Sequence, residues 1–183
     1  MDVTLNPQDL QKITELTLGH YNHRAEAYWE GTRDHDVGQN IETLLRSIEG
    51  KPPFAILDLG CGPGRDLKVF AELGHVAIGV ESAPRFAEMA RAYSGCMVWQ
   101  QDFLRLDLPE NHFDGVFANG AFHDLDAWRG FMSAAGFVEI SYYYRPAGVP
   151  RDQQSWLASV WRRDDRSRDP KAWPQTLRSA CRF

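Results

Sequence analysis

The chain has few cysteines, no long apolar run and no excess of positive charge. Its three cysteines are odd in number and widely spaced, which is untypical of a disulfide framework and gives no metal-ligand spacing (Cys61, Cys96, Cys181). No apolar stretch approaches the roughly 20 residues that cross a bilayer, and residues 1–19 are too polar for a signal peptide. A net charge of −5 disfavours nucleic acid as the main partner. We therefore expect a cytoplasmic protein that acts on neither membranes nor nucleic acid.

Residues 54–73 form the stretch that organises the rest of the chain. An apolar run of strand length meets Asp58, glycines follow at every second position (Gly60, Gly62, Gly64), and an amphipathic helical pattern comes next. Glycine lets the backbone approach a ligand closely and adopt positive φ. A strand, a Gly-rich turn and a helix are how a parallel sheet forms a cradle for a nucleoside-bearing ligand. Short glycine motifs also recur in turns that bind nothing. The flanking residues therefore decide between a ligand-binding turn and an ordinary one.

Strand and helix patterns alternate after two N-terminal helical stretches. The predicted strands are Phe54–Leu59, Val76–Val80, Met97–Gln100 and Phe113–Ala118, with helical patterns at 66–73 and 85–93. A helix from Asp124 to Ala135 and strands at 138–144 and 156–161 follow, the last antiparallel to the one before. Such alternation indicates right-handed βαβ units. The sequence thus predicts an α/β fold with a mostly parallel sheet of about six strands and helices on both faces.

Acidic residues stand at the ends of successive predicted strands. Asp58 ends the first, Glu81 the second, and Asp102 follows the third. Ligands of open α/β sheets bind along the edge where the carboxyl ends of the strands meet. There, Glu81 can accept hydrogen bonds from both hydroxyls of a ribose, and Asp102 with Phe103 can hold the edge and face of an adenine. Each acid alone also fits a solvated strand end, but three in order favour a nucleoside site.

From about Tyr21 to Arg163 the sequence resembles class I S-adenosylmethionine-dependent methyltransferases of the small-molecule type, in the broad group that includes ubiquinone-biosynthesis methyltransferases. The matching segments are Tyr21-x-x-x-Ala-x-x-Tyr28, Asp58-Leu-Gly-Cys-Gly-Pro-Gly64, Glu81, Gln101-Asp-Phe103, Phe113-Asp-Gly-Val-Phe-Ala-Asn119 and Ala135-Gly-Phe137. The resemblance implies a Rossmann-like fold, S-adenosylmethionine as cofactor and a small-molecule methyl acceptor as partner.

The resemblance also implies roles for the residues of the Gly-rich turn. The backbone of Gly60, Cys61 and Gly62 would contact the methionine part of the cofactor, and Asp58 would lie near its ammonium group. A nicotinamide-dependent dehydrogenase, the competing interpretation, fits less well. Its glycine pattern would put the third glycine at position 65, where this chain has Arg65.

By the same resemblance, residues at the next two strand ends would bind the nucleoside part of the cofactor. Glu81, with Ser82 beside it, would hold the ribose. Asp102 and Phe103 would hold the adenine.

Methyl transfer from a sulfonium depends chiefly on positioning and desolvation, so a general base is needed only where the acceptor must lose a proton. The candidate catalytic residues are His123 and Tyr21, followed by His20 and His35. By resemblance, Tyr21 would also close over the cofactor, and Asn119 would end its strand beside the sulfonium.

The sequence departs from the family pattern after the fourth strand. Family members have a helix and a further parallel strand there, whereas only residues 120–123 separate Asn119 from the helix cap Asp124. Average element lengths imply that about 20–40 residues are absent. We expect the C-terminal helix and hairpin to dock directly against the fourth strand in one six-stranded sheet, since the alternative leaves an apolar edge exposed. Tyr142–Tyr144 are candidates for an acceptor pocket, although alternating aromatics more often pack a core.

We expect one methyltransferase-like domain over residues 1–163. It would comprise an N-terminal helical cap (1–50), a cofactor-binding half (54–119) and a C-terminal helix with a hairpin (124–163), followed by a loosely ordered tail (164–183). A second function stays open, that of a shortened, non-catalytic relative that binds the cofactor or a protein partner without turnover.

Overall fold

The computed structural model describes residues 7–103, 105–109, 112–119, 125–145, 148–154 and 156–163. The elements in chain order are α1 (Pro7–His23), α2 (Ala25–Thr32), α3 (Gly38–Ser47), β1 (Ala55–Leu59), α4 (Arg65–Glu72), β2 (Val76–Glu81), α5 (Pro84–Ser94), β3 (Met97–Gln100), β4 (Gly115–Phe117), α6 (Leu125–Ala134), β5 (Phe137–Arg145), a 3-10 turn (Arg151–Gln153) and β6 (Trp156–Arg163). The predicted α/β alternation is confirmed. The predicted helix cap at Asp124 and the tail from residue 164 lie outside the described residues. Within them, no helix is long and apolar enough to cross a membrane.

β1 lies inside a parallel sheet of order β3-β2-β1-β4. In register, Asp58 of β1 is beside Gly79 of β2 and Phe117 of β4. Glu81 ends β2, and Asn119 comes two residues after β4 ends. Because the carboxyl ends of parallel strands share one edge of a sheet, the fold brings these side chains to the same edge.

The two faces of this sheet are covered differently. Successive residues of a strand point to opposite faces. Ile56 packs in a buried cluster with side chains of α3, α4 and α5, among them Ile41, Leu67 and Ala87. Leu57 belongs to a second cluster with Val80 of β2 and with Leu106, Leu108 and Phe113 from the β3–β4 connection. Among the described residues, the three helices therefore cover the Ile56 face, and the β3–β4 connection covers the Leu57 face.

The C-terminal hairpin does not extend the parallel sheet. β5 and β6 pair with each other, antiparallel, as a separate two-stranded sheet. No strand in the described part of the chain borders the outer side of β4, where Val116 is 54% exposed. The six strands and the antiparallel last strand are confirmed, but the expectation that they join in one sheet is wrong.

Helix α3 provides the physical reason for this difference. Tyr143 of β5 donates a hydrogen bond at 2.8 Å to Oδ1 of Asn40, which lies in the first turn of α3. Arg162 of β6 forms an ion pair with Glu49, just beyond its last residue, at 3.0 Å. The hairpin thus has polar partners at both ends of α3, whereas β4 offers an edge of only three residues, Gly115–Phe117.

The Gly-rich turn also sets how closely α4 and α5 approach each other. Gly64 precedes α4 in the left-handed region, with φ of +92°. A Cβ atom at this position would lie 2.7 Å from the Cα of Ala90 on α5. The turn therefore requires glycine both for its φ angle and for the helix contact.

We expect Gly64→Ala to lower the free energy of unfolding by about 2–4 kcal/mol, since the left-handed conformation and the overlap with α5 each carry a cost. Gly19→Ala is the matched control, because a Cβ at that position of α1 meets nothing within 4 Å. It should raise the free energy of unfolding by about 1 kcal/mol through helix propensity. Urea unfolding measures both, and a Gly64→Ala protein as stable as the wild type would contradict the close contact.

Candidate functional site

The turn after β1 is held against β2 by backbone hydrogen bonds. The N–H groups of Gly60 and Cys61 donate to the carbonyl of Val80 at 2.8 and 3.2 Å. Cys61 is buried, and its side chain fits because a Cβ on Gly79 would lie only 2.7 Å from its Sγ. Burial, with the Asp58 and Glu81 carboxylates nearby, raises the pKa of the Cys61 thiol. The thiol therefore stays protonated, and Cys61 acts here as a small packing residue.

Glu81 joins this turn to the start of α5. Its Oε2 accepts from the N–H of Gly62 at 3.0 Å, and its Oε1 accepts from the N–H of Ala83 at 2.8 Å. Burial raises the pKa of Glu81, and hydrogen bonds from Ala83, Gly62 and Ser82 oppose that shift. Each carboxylate oxygen has a further lone pair. Glu81 can therefore hold the turn and still accept a hydroxyl donor of a ligand.

Asp58 is buried, and one of its carboxylate oxygens is unsatisfied among the described residues. It is 2% exposed, and its Oδ2 makes no hydrogen bond among the described residues. Burial, the nearby carboxylate of Asp66 and, more weakly, that of Glu81 raise the pKa of Asp58 well above its usual range, while Arg65 opposes the shift. A buried carboxylate oxygen without a partner is costly unless a donor or a cation reaches it. This chemistry fits the ammonium group of an amino-acid ligand.

The predicted adenine residues lie beside the turn on its more exposed side. The ring of Phe103 comes within 3.8 Å of where a Cβ on Gly60 would be, and the side chain is 42% exposed. Asp102 is exposed, and its carbonyl accepts from the N–H of Arg105 at 2.8 Å. Phe103 thus stands over the beginning of the Gly-rich turn, with Asp102 next to it.

The N-terminal helices bring Tyr21 toward the same edge. Tyr21, Tyr28 and Phe86 form an aromatic cluster, with the Tyr21 and Phe86 ring centroids 5.4 Å apart. Arg85, at the start of α5, donates its backbone N–H to Asn22 Oδ1 at 3.1 Å and forms an ion pair with Glu26 at 2.6 Å. These contacts hold α1 and α2 at the beginning of α5, three to five residues after Glu81.

Tyr28 belongs to the electrostatic environment of the site. Burial raises the pKa of its hydroxyl, and Arg65, Glu81 and Asp66 are close enough to contribute. The aromatic cluster therefore lies within reach of the buried charges.

Asn119 makes contacts that the sequence did not reveal. Its Nδ2 donates to Asp66 Oδ2 at 3.2 Å, and its Oδ1 accepts from Asn40 Nδ2 at 3.3 Å. Asp66 is 6% exposed and forms an ion pair with Arg65 at 2.6 Å. An acidic residue in the first turn of a helix is an ordinary feature, so no sequence signal separated Asp66 from a solvated one.

The other candidate residues lie elsewhere or outside the described residues. His123 falls among residues 120–124, which the structure does not describe. His20 and His35 are exposed. On β5, the Tyr142 ring faces the Arg129 guanidinium at 4.6 Å and the Tyr144 ring faces that of Arg151, whereas Tyr143 contacts α3.

Comparisons with known proteins find similarity to methyltransferases. Residues 57–136 match the family model described as a methyltransferase domain. An uncharacterized methyltransferase of Anoxybacillus flavithermus is 28% identical over 102 residues, which cover 55% of this chain and 48% of that protein. A 2-heptyl-1-hydroxyquinolin-4(1H)-one methyltransferase of Mycobacteroides abscessus is 37% identical over 59 residues, 32% of this chain and 26% of that protein. The chain spans about half the length of the first two curated relatives it matches.

A solved structure extends the likeness to the fold. The TehB-like S-adenosylmethionine-dependent methyltransferase of Corynebacterium glutamicum superposes with a TM-score of 0.63 at 14% identity, covering 80% of this chain and all of that one. The fold is that of class I S-adenosylmethionine-dependent methyltransferases, as the sequence predicted. The family match covers residues 57–136, less than half of this chain, and the fold implies S-adenosylmethionine as the cofactor. The ubiquinone-biosynthesis subgroup stays a prediction.

We expect Asp58→Asn to remove part of the pH dependence of stability. An unfolded aspartate has a pKa of about 3.9, and burial raises the pKa of Asp58 in the folded protein. Between the two values the folded state keeps a proton that the unfolded chain has released, so stability falls as the pH rises. The free energy of unfolding of the wild type should therefore decrease relative to that of Asp58→Asn as the pH rises above about 4.

Urea unfolding of both proteins over this pH range provides the measurement. Glu81, whose pKa is also raised, titrates in both proteins. The difference between them therefore reports Asp58. Parallel pH profiles would show that Asp58 is charged in the folded protein throughout.

Proposed function

We propose that this chain transfers a methyl group from S-adenosylmethionine to a small-molecule acceptor. The observation that carries the proposal is the buried Asp58 carboxylate, whose Oδ2 has no partner among the described residues and which lies at the end of β1 directly before the Gly-rich turn. If the site bound no ligand, replacing this acid with an apolar or amide side chain would stabilise the protein. An ammonium group bound there supplies the missing partner.

Each of the other candidate residues has a physical task in this proposal. Glu81 fixes the turn through Gly62 and accepts ribose hydroxyls with its remaining lone pairs, assisted by Ser82. Phe103 stacks on the adenine, and Asp102 accepts a hydrogen bond from its amino group. Turn residues Gly60 and Cys61 present their backbone to the amino-acid part. When bound, S-adenosylmethionine supplies an activated methyl group for an in-line displacement, so the protein contributes mainly orientation and exclusion of water.

Tyr21 and His123 are the proposed groups on the acceptor side. Tyr21 lies in the aromatic cluster at the start of α5 and is 38% exposed, which suits a side chain that closes over the bound cofactor. His123 follows Asn119 by four residues and is the proposed general base for acceptors that must lose a proton. Residues 1–50 then serve as the cap of one domain that extends to residue 163.

Two observations support a small-molecule acceptor. The relative from Mycobacteroides abscessus is named for a heptyl hydroxyquinolone substrate. The net charge of −5 is unsuited to phosphate-rich partners.

The free thiols of Cys61 and Cys96 are consistent with the predicted cytoplasmic location.

A second candidate function is cofactor binding without turnover. It is favoured by the outer side of β4, which no strand borders in the described part of the chain. If this side normally forms a wall of the acceptor pocket, the chain would bind S-adenosylmethionine and transfer its methyl group poorly. Release of S-adenosylhomocysteine during incubation with a panel of small acceptors distinguishes the two functions.

We expect S-adenosylhomocysteine to bind in calorimetric titration, and Asp58→Asn and Glu81→Gln each to weaken binding at least tenfold. Each variant removes a charge-assisted contact, and a tenfold change in affinity corresponds to about 1.4 kcal/mol. Glu72→Gln is the matched control, since this acid lies at the far end of α4 with a side chain 64% exposed. Unchanged affinity in both site variants would overturn the proposed function, as would tight binding of NAD in place of S-adenosylhomocysteine.

A further inference from the structure

A chain of hydrogen bonds connects the C-terminal hairpin to the sheet edge. The hydroxyl of Tyr143 contacts Asn40 Oδ1 at 2.8 Å, Asn40 Nδ2 donates to Asn119 Oδ1 at 3.3 Å, and Asn119 Nδ2 donates to Asp66 Oδ2 at 3.2 Å. Arg65 holds both oxygens of Asp66, at 2.6 and 3.0 Å. We call this chain, from Tyr143 to Asp66, the relay. Its four members come from β5, α3, the segment after β4, and α4.

The relay can run in only one direction. The ionised carboxylate of Asp66, paired with Arg65, can only accept hydrogen bonds, so Asn119 must present its NH2 group to it. The oxygen of Asn119 then faces Asn40, which must present its own NH2 group. The oxygen of Asn40 consequently faces Tyr143, whose hydroxyl must donate. Reversing either amide would bring two donors or two acceptors together.

The relay supports Asn119 where the sheet does not. Asn119 comes two residues after the end of β4, and no strand of the described residues lies on the outer side of β4. The contacts that fix its amide are therefore those to Asn40 and Asp66. Among the described residues, Tyr143 on the separate hairpin is linked to Asn119 through Asn40.

We propose that Asn40 and Tyr143 are positioning residues that orient the amide of Asn119 at the methyl-transfer end of the cofactor site. This inference rests on the proposed function and on the family resemblance, by which Asn119 would lie beside the sulfonium. It gives the hairpin a task in the site, because the hydroxyl of Tyr143 fixes which way the two amides point. Neither Asn40 nor Tyr143 needs to touch the cofactor or the acceptor.

Side-chain amide resonances test the relay without an acceptor. The chain has five asparagines, so [15N]Asn labelling gives five amide pairs, and the Asn119→Ser and Asn40→Ser spectra assign the two of interest. In Tyr143→Phe, which keeps the ring and loses the hydroxyl, both the Asn40 and the Asn119 signals should shift or broaden. The Asn119 shift is the decisive one, since in the described part of the chain Asn40 lies between Tyr143 and Asn119.

Tyr144→Phe is the matched control on the same strand. The Tyr144 ring lies against the guanidinium of Arg151. Its loss of a hydroxyl should leave the Asn119 signals in place. A folded Tyr143→Phe protein with wild-type Asn119 signals would overturn the relay, as would equal shifts in the two variants.

Titration of the labelled wild type with S-adenosylhomocysteine tests the link to the site. We expect the Asn119 signals to move on binding, and to move differently in Tyr143→Phe. Binding that leaves the Asn119 signals unmoved would overturn the positioning role while the proposed function stands. Failure of S-adenosylhomocysteine to bind would overturn the proposed function and that role together, whereas the spectra without ligand still decide the relay itself.

Discussion

The burial of three carboxylates at one edge of the sheet is the constraint on which the rest of the structure depends. Asp58, Asp66 and Glu81 are each less than a tenth exposed, and Arg65 is the guanidinium that pairs with one of them. Each acid is treated differently: Glu81 accepts backbone N–H groups, Asp66 is held by Arg65 and Asn119, and Asp58 Oδ2 has no partner among the described residues. Such an arrangement destabilises the ligand-free protein and favours the binding of a cationic ligand. Stability and function are often in such conflict at a binding site.

The sequence predicted the position of this edge but not the way its charges are satisfied. Strand periodicity and the order of acids placed Asp58 and Glu81 at neighbouring strand ends, because alternating strands and helices make the strands parallel and bring their carboxyl ends to one edge. Asp66 could not be singled out, since its burial depends on tertiary contacts to Asn119 and on the rotamer of Arg65. The inward turn of Glu81 toward Gly62 likewise appears only in three dimensions.

The sequence pattern predicted the two strands of the hairpin but not where the hairpin docks. Alternation along residues 138–144 and 156–161 correctly predicted two antiparallel strands, because side-chain periodicity is local. Where the pair docks depends on long-range polar partners, and these reside on α3: Asn40 for Tyr143 and Glu49 for Arg162. The pairing register of β5 with β6 also shifts between Glu139 and Ser141. No periodicity in the sequence encodes such contacts.

The cap and the hairpin act on the site through the same kind of contact. Asn22 accepts the backbone N–H of Arg85 at the start of α5, where no side chain from the preceding residue caps the helix, and Ala83 in that same turn donates to Glu81. On the other side, Asn40 links the hairpin to Asn119. In both cases an asparagine from the N-terminal helices satisfies a group that follows a sheet strand. Residues 7–50 therefore do more than shield the sheet, because they orient groups on both sides of the Gly-rich turn. Ile41 of α3 also belongs to the buried cluster on the Ile56 face, so these helices support the strands and the site together.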